Sequence, residues 1–159
     1  MKKTFIIVLI LIAFTNSCEK DAENNLFIGI TETNEFGEII SNDETDWSLN
    51  ESWNETENSL FSESFDNLCN TDDEYYLLTA YPNPCDAITT LKFTVPDDKR
   101  VAFRIVDNDY NILVSKDSAN SDIAINFDYL KVQNDILRVY YKIYGENCEL
   151  KGHGDIKVN

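Results

Sequence analysis

Basic side chains are scarce in this chain: 13 lysines and arginines face 29 aspartates and glutamates, for a formal net charge of −16. Nucleic-acid binding needs a basic patch to neutralise phosphates, and none offsets that acidity, so no nucleic-acid partner is expected. Histidine occurs once, as His153, with no partner at ligand spacing, and no C-x-x-C pair occurs, so no zinc motif is present. A G-x-S-x-G elbow is missing too, and Gly152-His153-Gly154 is expected to be a strand kink or bulge rather than a loop offering a catalytic base. Asp107, Asp109 and Asn111 open like a calcium loop, but Ile112 stands at the next oxygen ligand and Leu113 at the required glycine, which leaves a hairpin turn. The sequence therefore assigns no catalytic residue, no metal and no cofactor, and an enzyme is not expected. Long apolar runs are also lacking: Phe5 to Phe14 is ten residues, about half of what a membrane-spanning helix needs.

That run is instead the apolar centre of a secretory signal, with Lys2 and Lys3 before it and Thr15, Asn16 and Ser17 after it. The junction at Ser17-Cys18 resembles the lipobox of bacterial lipoproteins, which implies removal of residues 1–17 and acylation of Cys18. Several acyl chains hold a protein stably on a membrane, since each buried methylene contributes about 0.8 kcal/mol. Cys18-Glu19-Lys20-Asp21-Ala22-Glu23 is similar to the short signal that sends some lipoproteins of the phylum Bacteroidota to the cell surface. The expected location is the outer membrane, lipid-anchored, with the short segment read either as a signal for surface exposure or as a plain acidic spacer that leaves the orientation open.

The acidity belongs to one segment. Residues 19–76 hold 17 acidic side chains and Lys20 as their one base, whereas residues 77–159 hold 12 acids and 10 bases. A segment so charged and so poor in aliphatic residues buries little apolar surface to offset its ordering entropy, so 18–76 is expected to be an acidic, largely irregular spacer. Fully extended, it would reach about 190 Å, an upper limit that folding back shortens. Short strands are expected around Leu26 to Ile30 and around Phe36, Ile39 and Ile40. Trp47 and Trp53 stand six apart, and Trp53, Leu60 and Phe61 fit one helical face with Asn50 or Ser48 as cap. These apolar groups either fold back onto the chain's own domain or form a partner-docking motif.

From Tyr75 onward, short β-branched and aromatic runs alternate with turn residues, the signature of an all-β sandwich or barrel. Leu91, Phe93 and Val95 share one face; Val101, Phe103 and Ile105 share another. Leu137, Val139, Tyr141 and Ile143 oppose Arg138, Tyr140 and Lys142, and a last strand ends at Ile156 and Val158. About seven strands fit in residues 77–159, each with one apolar face, as two packed antiparallel sheets require.

Tyr81-Pro82-Asn83-Pro84, then Thr89 to Pro96, then Val101 to Asp107 with its turn into Asn111 to Val114, resemble the C-terminal type A sorting domain of type IX secretion substrates. The stretch is similar as well to the immunoglobulin-like module of flagellar hook-capping proteins. The resemblance implies an immunoglobulin-like β-sandwich. In that fold Cys85 and Cys148 lie at the same end, which makes Cys85–Cys148 the candidate disulfide, with Cys69–Cys85 competing and one thiol left over. Asp117-Ser118-Ala119 resembles the O-glycosylation pattern of Bacteroidota, making Ser118 the candidate acceptor. Two functions are expected: a non-catalytic envelope protein binding a protein or glycan partner, or a substrate or accessory of type IX secretion recognised through its sandwich.

Overall fold

The computed structural model describes residues 29–49, 51–70, 76–119 and 122–159. A small hairpin, β1 (Glu32–Thr33) and β2 (Ile39–Ser41), comes first, followed by a short helix, α1 (Glu55–Ser59). Seven strands follow: β3 (Tyr76–Tyr81), β4 (Ile88–Thr94), β5 (Arg100–Val106), β6 (Ile112–Ala119), β7 (Ile123–Asn126), β8 (Asp135–Tyr144) and β9 (Glu149–Val158), with a helical turn, α2 (Phe127–Leu130), between β7 and β8. Beside the β1-β2 hairpin they form a three-stranded sheet, β3-β4-β7, and a four-stranded sheet, β6-β5-β8-β9, with every pair antiparallel. Neighbours in sequence repeatedly cross from one sheet to the other. This is the order of an immunoglobulin-like sandwich whose fourth strand joins the second sheet.

The expected alternation builds the interior. Leu91, Phe93, Ile125 and Phe127 face Val101, Phe103, Ile105, Leu137, Val139, Tyr141 and Ile143 in one buried cluster. Phe93 and Phe103 meet across it with ring centroids 5.7 Å apart. Each such side chain contributes roughly 1.5–3 kcal/mol by leaving water.

Residues 29–49 and 51–70 are largely irregular, as expected, but the expectation that they form a spacer apart from the sandwich is corrected. They are built into the sandwich, and the large apolar groups among them fold back onto it. Of the strand expected over Leu26 to Ile30, residues 26–28 lie outside the described residues, Gly29 and Ile30 are irregular, and the first strand falls later, at Glu32–Thr33. Phe36 falls in the hairpin turn, where Asn34 Oδ1 accepts from the backbone N–H groups of Phe36 and Glu38. The helix is shorter than the apolar stripe, because Asn54 caps it in a reciprocal box with Glu57, in place of Ser48 or Asn50.

Asn83 ties this segment to the sandwich. It is fully buried in the Tyr81-Pro82-Asn83-Pro84 run, and its side-chain amide donates to the carbonyls of Thr31 (2.9 Å) and Asp155 (2.8 Å) while its Oδ1 accepts from Lys157 N (2.9 Å). Its backbone pairs with Thr33 on both sides. One residue of the β3-β4 connection thus joins the β1 segment to the end of β9.

Candidate interaction surface

Residues 46–69 form a strap that wraps around the free edge of β9. At the inner side of that edge, β9 offers glycines where side chains would otherwise fill the core. A Cβ on Gly154 would lie 2.2 Å from the Trp47 ring, and one on Gly152 would lie 1.8 Å from the Ser48 carbonyl oxygen. Trp47 takes the vacated space and stacks on Tyr141 with centroids 6.3 Å apart. Gly152-His153-Gly154 is therefore not a kink or bulge: β9 pairs with β8 in unbroken register, and the glycines make room for the strap. At the edge itself Glu51 N–H donates to the Lys151 carbonyl, and Glu51 binds His153. Six residues after Trp47, Trp53 has reached the opposite, outer face of the sheet.

That outer face is basic and aromatic. Arg100, Ala102, Arg104 and Val106 from β5 stand beside Arg138, Tyr140, Lys142 and Tyr144 from β8. Trp53 and Phe61 pack with Ala102, Val106, Tyr140 and Tyr144 in a second buried cluster. Trp53 meets Tyr140 edge-on at 5.4 Å and stacks on Phe61 at 5.6 Å. Acidic side chains of the strap meet the bases: Glu63 pairs with Arg100, and Glu57 accepts from the Tyr140 hydroxyl at 3.0 Å. The Leu60 carbonyl accepts from Arg104 Nε at 3.1 Å.

Lys142 is the centre of this contact and is fully buried. Its ammonium bonds both Glu149 carboxylate oxygens, at 3.0 and 3.2 Å, and the Glu63 carbonyl at 3.1 Å. The rings of Phe61, Trp53 and Tyr144 stand 5.5, 5.7 and 5.8 Å away, as in an aromatic cage. Burial draws the ammonium below its ordinary pKa, against the pull of Glu149. Nearby, Asp155 takes a bidentate contact from Arg138, both arms 2.8 Å long. Asp46 accepts from Asp155 N and Thr31 N, each at 2.7 Å. Burial, with Asp155 adding to it, raises the Asp46 carboxyl to about 6 against those two hydrogen bonds. Glu51 goes the other way: burial works to raise it, but His153 and Ser48 hold it below the usual range.

A disulfide fastens the end of the strap. Cys69 bonds Cys148, with Cα atoms 4.8 Å apart, and Cys85 is left as a free, buried thiol that burial pushes up to about 11. The expected Cys85–Cys148 pair is corrected, and so is its competitor Cys69–Cys85. Cys85 sits at the other end of the sandwich, where it bridges Val158 at the close of β9, whereas Cys148 lies just before β9 begins. Cys69 reaches Cys148 because Leu68 bridges Glu149.

The remaining candidates fall elsewhere. Ser118 is exposed near the end of β6, in a strand rather than a loop. Asp107 Oδ1 accepts from the N–H groups of Asp109 and Asn111, closing the expected hairpin turn. Among the described residues no cluster of His, Cys, Asp or Glu could hold a metal ion. Cys18 lies outside the described residues. The end of the sandwich opposite the disulfide carries a cleft of about 460 Å³ between the β5-β6 turn, the start of β8 and the end of β9, lined by Asn108, Asn134, Asp135, Ile136, Lys157 and Asn159.

Comparison of the chain with protein-family models, with curated proteins and with solved structures finds no match.

Proposed function

We propose that this chain is a lipid-anchored protein of the bacterial outer membrane whose folded body serves as a non-catalytic interaction module for an envelope protein or glycan. The observation that carries the reading is the Cys69–Cys148 bridge. Such bridges persist in oxidising compartments outside the cytoplasm. The leader ahead of Cys18 supplies a route there and an anchor on arrival. The polar groups on the outer sheet face bind the chain's own strap, which is how a scaffold uses such groups.

The anchor is tested by the mass of the mature N-terminus from the membrane fraction. Expected is a chain beginning at Cys18 and carrying acyl groups; an unmodified Cys18, or retention of residues 1–17, overturns the reading. Affinity capture with the mature protein from envelope extracts tests the module, and a failure to enrich any envelope protein or glycan counts against it.

A further inference from the structure

The two ends of the sandwich differ in what they show to solvent. One is the stapled end, where Cys69 meets Cys148. The other gathers the β3-β4 connection, the β5-β6 turn, α2 and the close of β9. Of the large apolar side chains exposed among the described residues, all but Leu68 belong to this second end. Ile88 opens β4, Ile112 opens β6 and Tyr129 lies on α2, with exposures of 50, 48 and 86%. Phe36, Ile39 and Ile40 belong to the β1-β2 hairpin, which is fastened there through Thr33 and Asn83, and are 78, 58 and 68% exposed. So many large apolar groups at one end of a small domain mark a contact surface.

The chain itself indicates what covers them. Gly29 enters the fold beside this hairpin, and Cys18 stands eleven residues earlier. At about 3.3 Å per residue the tether reaches at most about 36 Å. We infer that this end docks on the lipid bilayer, with Phe36 at the hairpin turn and the exposed Ile39 and Ile40 of β2 entering the interface. The inference rests on the proposed anchor at Cys18. Glu32, Glu35, Glu38, Asp86 and Asp128 stand within a few residues of these apolar groups in sequence, against Lys131 and Lys157, an acidic balance that fits a zwitterionic rather than an anionic surface. The cleft at the same end holds one carboxylate, Asp135, and one ammonium, Lys157, which matches a headgroup carrying both signs.

The test uses the chain from Cys18 onward, its Cys18 thiol coupled to a maleimide lipid in phosphatidylcholine vesicles; Cys85 is buried and stays unlabelled. Phe36→Trp places an indole at the hairpin tip, and Leu68→Trp places one at the opposite end. Replacing ordinary lipid by brominated phosphatidylcholine is expected to quench the added Phe36→Trp emission by about half or more and to leave that of Leu68→Trp unchanged. Exchanging half of the lipid for phosphatidylglycerol is expected to reduce the quenching at least twofold. An unquenched tip on a chain shown to float with the vesicles overturns the docking, as does equal quenching at both ends. A dimer in solution that buries the tip overturns the choice of lipid as the occupant. Because the lipid is attached chemically, a negative result bears on docking alone, whereas the mass of the native N-terminus bears on the anchor alone.

Discussion

Trp47 occupies a left-handed backbone position, with φ 56°, and its indole Nε1 is buried with no hydrogen-bond partner among the described residues. The ring is held by shape against Gly154 and Tyr141. Trp47→Phe is therefore expected to cost little, since it removes an unpaired donor whose burial costs about 1–3 kcal/mol while keeping an aromatic plug. Trp47→Ala leaves a cavity and is expected to cost about 3–5 kcal/mol, both variants being read by urea denaturation. Asp46 carries a pH signature. Its carboxyl titrates near 6 when folded, above its ordinary 3.8, so the folded state holds the proton more tightly. The resulting stabilisation is fully present below about pH 4 and is lost as pH rises through 6, a difference on the order of 3 kcal/mol. Unfolding free energies measured from pH 4 to 7 should fall across that window in the wild type, and that part of the slope should be absent in Asp46→Asn. Lys142→Met would leave buried Glu149 with only the more distant Lys151 ammonium, 3.9 Å away, and a loss of about 3 kcal/mol is expected by the same denaturation measurement.

At the level of elements, the strap depends on its staple. The bridge spans a sequence separation of 79, which on the loop-entropy model stabilises the fold by about 4–5 kcal/mol. Replacing both cysteines by serine is expected to lower Tm by on the order of 10 °C. Amide exchange should accelerate first at residues 60–69, near the staple. The strands themselves were legible, because period-two alternation in β4, β5 and β8 states which side chains face the core. What alternation could not state is that the opposite face is covered as well. Ala102, Val106, Tyr140 and Tyr144 are the available sign, being apolar or aromatic at strand positions that alternate with the core-facing ones. The disulfide was misassigned for the same reason: Cys69 comes within reach of Cys148 only once the strap lies across the sheet. Gly152 and Gly154 were misread as strand irregularity, since the Ser48 carbonyl and the Trp47 ring that fill their space lie more than a hundred residues earlier.

For the molecule as a whole, the folded unit runs from the hairpin to Val158 rather than beginning at residue 77. A fragment of residues 77–159 would expose the Lys142 cage, leave Cys148 unpaired and uncover the part of the β9 edge where Asp46, Glu51, Asn67 and Cys69 supply partners along the strand. Such an edge invites pairing between chains. The fragment is expected to unfold at much lower urea than the chain from Cys18 onward, or to aggregate, as read by circular dichroism and light scattering.

The contacts that seat the strap also govern when folding can finish. Asp46 bonds Asp155 across 109 residues and Glu51 bonds His153 across 102, so the segment made first waits for the strand made last. Contacts so distant in sequence form late and slowly. A chain emerging N-terminus first thus cannot seat its strap before β9 has arrived, and until then the apolar side chains of the strap lack the sheet that buries them.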